Sequence, residues 1–271
     1  RYTPQQDWVL RMSAGRGYRT ANIFTENATA LASARSVVII PTESFGYGLK
    51  QESAWNFGFN LTHYFEVNYH EATLTFDGYR TQFDHQVVAD LDANPQQVRF
   101  YSVTDGSYSN SLQAELDMQP VDHFDTRFAY RYLDVRQIIN GNWMERPFTS
   151  RNRALVNLSY TTENDESNES QMIYDATLQC FGPKRIPSTA TNPPGLQMPD
   201  MSPSFVLINA QITRTFSEEL DLYAGVENIF NYTQPNPILD WEHPHSQYFD
   251  ASLVWGPISG RMIYAGIRLK I

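Results

Sequence analysis

One feature limits this chain more than any other: apolar and polar residues alternate with a period of two in run after run. Trp8, Leu10, Met12 and Ala14 alternate with Val9, Arg11, Ser13 and Gly15. Trp55, Phe57, Phe59 and Leu61 fall on one side, with Asn56, Gly58, Asn60 and Thr62 on the other. Successive residues of a strand point to opposite faces, whereas a helix repeats every 3.6 residues, so these runs read as strands. The same phase recurs at Ala72–Leu74–Phe76, Leu112–Ala114–Leu116, Phe128–Tyr130–Tyr132 and Ala154–Val156–Leu158–Tyr160. It returns at Met172–Tyr174–Ala176–Leu178, Val206–Ile208–Ala210–Ile212, Leu220–Leu222–Ala224–Val226 and Ile263–Ala265–Ile267–Leu269–Ile271. That makes about ten strands, each near the roughly 9–11 residues a tilted membrane strand requires.

The connections sharpen this reading. Short ones fall around Phe65–Tyr69, Asp117–Phe124, Thr161–Ser170 and Phe216–Glu219. Long ones fall at Gly17–Gln51, Asp84–Gln97, Gln137–Arg151, Phe181–Pro203 and Asn231–Gly260. Short and long alternate, as in an up-and-down transmembrane β-barrel with tight periplasmic turns and long outer loops. A soluble β-sandwich also alternates and turns often. However, it does not call for all the long loops to lie on one side. The polar phase carries Arg127, Arg131, Asn157, Gln171, Asp175, Asn209, Gln211, Asp221, Glu227, Arg268 and Lys270. An Arg or Lys facing lipid at the midplane costs about 2–4 kcal/mol, so this phase is expected to face a lumen.

Composition narrows the function. Of 271 residues, 41% are hydrophobic and 18% charged, which excludes a disordered chain. The longest clean apolar run is Val37-Val38-Ile39-Ile40, far below the about 20 residues of a membrane helix. A formal net charge of -10 argues against a nucleic-acid partner. The single cysteine, Cys180, excludes an internal disulfide framework and a four-Cys zinc site. Aromatic residues reach 14%, which suits both strands and the interfacial girdles of a membrane barrel. The chain opens on Arg1 with no charged-then-apolar leader, so it is expected to be processed or a piece of something longer.

Four stretches, in order, resemble the TonB-dependent outer-membrane receptors. They are Gly17-Tyr18-Arg19-Thr20-Ala21-Asn22, then Leu49-Lys50-Gln51-Glu52 running on to Gly58, then Gly225-Val226-Glu227-Asn228-Ile229-Phe230-Asn231, and finally Gly260-Arg261 through Tyr264-Ala265-Gly266-Ile267-Arg268. The resemblance implies a 22-stranded antiparallel barrel around an N-terminal plug, of which residues 1–271 look like the C-terminal ten or so strands. Plug and N-terminal strands would then come from other polypeptide. The family usually ends on an aromatic residue, whereas this chain ends on Ile271.

Candidate site residues lie in the long loops. Trp143, Arg146, Trp241, Tyr248 and Trp255 are aromatic or arginine, the types that dominate binding hot spots. Asp240-Trp241-Glu242-His243-Pro244-His245 is the densest ligand-like cluster, and His243 with His245 could hold a transition metal, since imidazole suits Zn, Cu or Ni. The bland alternative is a solvated loop stiffened by proline. His63, His70, His85 and His123 lie near strand ends and are read as interfacial or lumenal. Asp240 with His243 or His245 could also form a base and its orienter, as in a surface protease.

The expected function is energised uptake, across the cell outer membrane, of a scarce nutrient such as a siderophore, another metal chelate or cobalamin. No catalytic residue and no resident cofactor are expected. The resemblance implies outer-membrane lipid, a plug, TonB acting through that plug, and a small-molecule or metal-chelate ligand as partners. The rival reading is a self-contained ten-strand barrel acting as a protease or adhesin.

Overall fold

The computed structural model describes residues 1–43, 46–139, 141–163, 170–217 and 219–269. Most of the turn expected at Thr161–Ser170, residue 218 of the next turn, and Lys270 and Ile271 lie outside the described residues. Among the described residues thirteen strands form one sheet. In chain order they are β1 (Trp8–Arg19), β2 (Ser36–Ile39), β3 (Glu52–Val67), β4 (His70–Asp90), β5 (Gln97–Thr104), β6 (Tyr108–Val121) and β7 (Phe124–Ile139). They continue with β8 (Asn142–Glu145), β9 (Asn152–Thr161), β10 (Gln171–Phe181), β11 (Phe205–Thr215), β12 (Leu220–Glu227) and β13 (Met262–Leu269). A single helical turn, α1 (Ile23–Glu26), follows β1, its N-terminus capped by the Asn22 side chain. Among the described residues no helix is long and apolar enough to cross a membrane.

Ten strands form an antiparallel wall in the order β1-β3-β4-β6-β7-β9-β10-β11-β12-β13. Register keeps the two phases apart across the full width. One apolar row runs Leu116, Phe128, Val156, Leu178 and Ile208; the next runs Leu158, Ala176, Ala210 and Val226. The opposite face carries a polar row of Arg11, Asn60, Asp77, Gln113 and Arg131. Its side chains bond laterally: Arg11 donates to Asn60 at 3.0 Å, and Asn60 to Asp77 at 2.9 Å. Arg127 reaches both Asp117 and Glu115 from a neighbouring strand. On the same face Gly225 lies opposite Tyr264 and Gly266 opposite Tyr223, so each ring folds over a position with no side chain. At one end of the wall Trp8 stacks on His63 at 4.0 Å, and His63 on Phe65 at 5.4 Å, an aromatic cluster of the kind that forms barrel girdles.

Strand lengths depart from the expected 9–11 residues. β3 and β7 have 16 residues and β4 has 21, so they rise well beyond a bilayer. Asp84–Gln97 is therefore not the long loop expected: β4 continues to Asp90, and β5 returns beside it. Likewise β8 folds back on the end of β7 within Gln137–Arg151. The apolar run Val37–Ile40 also finds its place here, because β2 pairs in parallel with β5 through Ser36–Ile39 and Gln97–Phe100.

The buried apolar residues concentrate in these long connections. One cluster joins Ala21, Ile23, Ala30 and Leu49 of the first connection to Leu91, Val98 and Phe100 of the β4–β5 hairpin. The second joins Ile186, Phe205 and Trp255, with Phe148 packed against both clusters. The long connections thus form a folded cap. Trp255, expected as an exposed contact, is 4% accessible inside it.

Candidate functional site beneath the outer cap

A compartment of about 450 Å³ lies where the cap meets the polar face of the wall. The strands supply Arg19, Glu52, Phe83, Gln86 and Gln137; the connections supply Ile23, Glu26, Arg146, Phe148 and Ser252. Arg19 and Glu52 are register partners on β1 and β3, which brings Arg19 Nε to 2.6 Å from Glu52 Oε2. A second nitrogen of Arg19 sits 2.8 Å from Oε2 of Glu26, the last residue of α1. Glu52 Oε1 accepts the backbone N–H of Val87 at 2.9 Å, and Glu26 Oε1 that of Asn22 at 3.0 Å. Both carboxylates are thereby fixed. Gln86 Oε1, also on the lining, is buried and accepts no hydrogen bond among the described residues. The result is a polar-and-apolar pocket with oriented donors and acceptors, suited to holding a small polar molecule.

Of the expected site residues, only Arg146 lines this compartment. Trp143 sits on β8, half exposed, with its ring 5.3 Å from that of Tyr108. Gly106, in the left-handed region at φ +102, leaves the room that Trp143 and Ile138 occupy. Trp241 is 64% accessible on the last connection, and Tyr248 is half buried further along it. These three aromatic residues do not line the compartment.

The histidine turn is organised locally. His243 Nδ1 lies 2.8 Å from Asp240 Oδ1, which raises the imidazole pKa above its ordinary value and, with a Ser246 hydrogen bond as the larger cause, lowers that of Asp240. His245 is exposed beside it. No group of three or more His, Cys, Asp or Glu poised around a metal occurs among the described residues. Of the other histidines, His85 lies well inside β4 rather than at its end, next to the register shift at Ser53–Ala54.

A cationic group that alternation did not single out lies nearby. Arg153 is register partner to Arg131 and stacks 5.2 Å over Phe181. Lys184 Nζ sits 5.7 Å from the centre of the same ring and donates to the Trp255 carbonyl. Burial, followed by the Arg153 charge, pushes the Lys184 ammonium below its usual pKa. No sequence signal would have placed Lys184 there, because the contact forms only once the β10–β11 connection folds inward.

The family model described as TonB dependent receptor-like, beta-barrel matches residues 1–229. The chain belongs to this family. Solved TonB-dependent receptors share its fold across nearly its whole length. A ferric enterobactin receptor mutant, PfeA of Pseudomonas aeruginosa, is 15% identical, with a TM-score of 0.61 over 100% of this chain and 39% of that one. The siderophore receptor PiuA of Acinetobacter baumannii is 14% identical, with a TM-score of 0.57 over 99% and 34%. The copper transporter OprC is 12% identical, with a TM-score of 0.66 over 98% and 37%. The chain thus spans between about a third and two fifths of these solved chains. No curated protein matches the sequence. TonB-dependent receptors are an outer-membrane class of receptors and transporters.

Proposed function

We propose that this chain supplies barrel wall and outer loops to a receptor that captures a scarce nutrient and takes it up across the outer membrane, driven by TonB through a plug. Siderophores, other metal chelates and cobalamin are the ligand classes considered. The observation that carries the reading is the compartment between cap and polar wall, whose donors and acceptors are already oriented by Arg19, Glu52 and Glu26. Such a pocket holds a ligand at the mouth of a polar channel. The solved neighbours named for ferric enterobactin and copper support this class of cargo.

On this reading Arg146 contacts the ligand in the compartment, and Trp143, Trp241 and Tyr248 meet it at the rim. His243 and His245 offer a first contact for a metal-bearing ligand, with His243 released from Asp240. The remaining strands and the plug come from polypeptide outside residues 1–271. The sheet order, with β1 and β13 at opposite ends, supports that arrangement over a self-contained ten-strand barrel. The test is growth of a deletion strain with iron chelates or cobalamin as the limiting nutrient. One class should cease to support growth, to the same extent as in a strain lacking TonB, and a plasmid copy should restore it. Unchanged uptake of every class would overturn the proposal.

A further inference from the structure

On the polar face of the wall Arg127 is neutralised by Asp117 and Glu115, and Arg268 by Asp221. Three cations nearer the cap are not neutralised. Arg131 and Arg153 are register partners on β7 and β9, so their side chains leave the same face side by side, and both are exposed. Gln113, the register partner on Arg131's other side, is uncharged. Arg153 lies 5.2 Å over the Phe181 ring; Lys184 Nζ is 5.7 Å from that ring and 5.4 Å from the ring of Phe205. Among the described residues none of the three forms an ion pair, and Lys184 Nζ donates to the Trp255 carbonyl. The Lys184 backbone is tied on both sides, by a bridge to Ser150 and by its carbonyl accepting the Ser202 N–H at 2.8 Å.

Like charges directly opposite on neighbouring strands repel. Here a third cation is fixed beside two of them, over an aromatic floor: Phe181 stacks on Phe205 at 4.7 Å, and Phe205 on Tyr232 at 5.1 Å. The rings exclude water from one side, so the cations' field is focused into the space they face. An anion relieves the repulsion, and guanidinium forks bind carboxylate-like oxygens through paired N–H bonds. The opposite end of the same face has the reverse sign. Ser159 stands between Asp125 and Asp175 as register partner of both, and neither carboxylate pairs with a cation among the described residues. Phe148 lines the compartment and also packs against the cluster that holds Phe181, Phe205 and Trp255, so it links the compartment to the cationic group.

We propose that Arg131, Arg153 and Lys184 form an anion site, and that the cargo is a multiply anionic, oxygen-rich chelate in preference to cobalamin or a bare metal cation. The choice of cargo rests on the receptor reading; the anion site does not. The test uses the full-length receptor purified in detergent, with Cys180→Ser as background and Gln179→Cys as reporter. Gln179 is two residues before Phe181 and pairs with Leu155, which is two residues after Arg153. A second reporter, Ser159→Cys, marks the acidic end. Each is labelled with anionic sulfonatoethyl and cationic trimethylammonioethyl methanethiosulfonate, and rates are normalised to those with free cysteine.

The reporter at position 179 should favour the anionic reagent about tenfold or more, and that at position 159 the cationic one. Arg131→Gln with Arg153→Gln should lower the preference at 179 severalfold. Salt at about 1 M should do the same without any substitution, since it shortens the screening length to about 3 Å. No anion preference at 179, or one unchanged by both treatments, would overturn the site. So would a reporter that neither reagent reaches, because the cations would then face other polypeptide. The cargo is read by growth: the same double substitution should reduce uptake of an anionic chelate severalfold. Uptake of cobalamin or free metal ion alone would overturn the cargo and keep the receptor reading. The expected labelling with no nutrient class affected by deletion of the receptor would leave the anion site standing and remove the receptor reading.

Discussion

Arg35 and Asp250, 215 positions apart, meet at 2.8 Å with side chains 1% and 6% accessible. Removing one partner of a buried ion pair strands the other charge and costs about 3–5 kcal/mol, whereas replacing both with apolar residues is often neutral. Arg35→Met and Asp250→Leu should therefore each loosen the cap, and the double variant should lie closer to wild type than either. Hydrogen exchange of residues 28–39 and 239–255 measures this directly, because both segments belong to the cap and not the wall. Unchanged exchange in both single variants would show that the pair does not hold the cap.

Facing within the wall is tested by neighbouring residues on one strand. Ala176 lies in the apolar row with Leu158 and Ala210; Thr177 lies in the polar row with Asn157 and Asn209. Ala176→Arg should destabilise the folded barrel by about 2–4 kcal/mol if that row meets hydrocarbon near the midplane. Thr177→Arg should be tolerated. The fraction folded, read from heat-modifiable mobility on gels, separates the two. Equal effects would mean that neither face meets lipid as argued.

Much of the wall was legible in the sequence because strand alternation is a local signal. Arg127, Asn157, Asp175, Asn209, Gln211 and Asp221 share the polar face as expected, with cross-strand register holding them there. The cap was not legible, since its structure comes from segments far apart in the chain. Val37–Ile39 become a strand only because Val98–Phe100 lie beside them. Trp255 is buried by Phe205 and Ile186, neither of which announces itself as its neighbour. Nor does any spacing rule connect Arg185 to Asp92, which pair through two parallel bonds of 2.7 and 3.0 Å. The candidate site shares that limit. Arg146, named from its type and place, lines the compartment, whereas Arg19, Glu52 and Glu26 needed the fold to bring them together.

The histidine turn makes a pH prediction. The pKa of His243 is raised, so its attraction to Asp240 is in force below the ordinary imidazole range and is lost as pH rises through the raised value. Asp240 is lowered, so on the acid side the attraction persists below the ordinary carboxylate range and is lost as pH falls through the depressed value. An NMR titration of His243 should show a pKa above the ordinary value of about 6.5. Asp240→Asn should return it toward that value. A His243 titration unmoved by the substitution would sever the two groups.

The last prediction concerns the two ends of the wall. Among the described residues, β1 and β13 do not pair with each other, and β1's free side takes a single bridge, between Leu10 and Tyr2. On β13 Ile263, Ile267 and Leu269 are 79%, 67% and 70% accessible, so an apolar strand of eight residues stands at an edge. Each unpaired backbone group in hydrocarbon costs several kcal/mol, so neither edge can remain open in a bilayer. Joining β1 to β13 would satisfy the backbone, but diameter grows with strand number and ten strands enclose only a narrow lumen. Both edges should therefore pair with strands from polypeptide outside residues 1–271. A photo-cross-linking residue at Ile263, in the receptor as it stands in the outer membrane, should capture such a strand, identifiable by mass spectrometry of the cross-linked peptides. Capture of peptides from Trp8–Arg19 in its place would mean that the wall closes on itself.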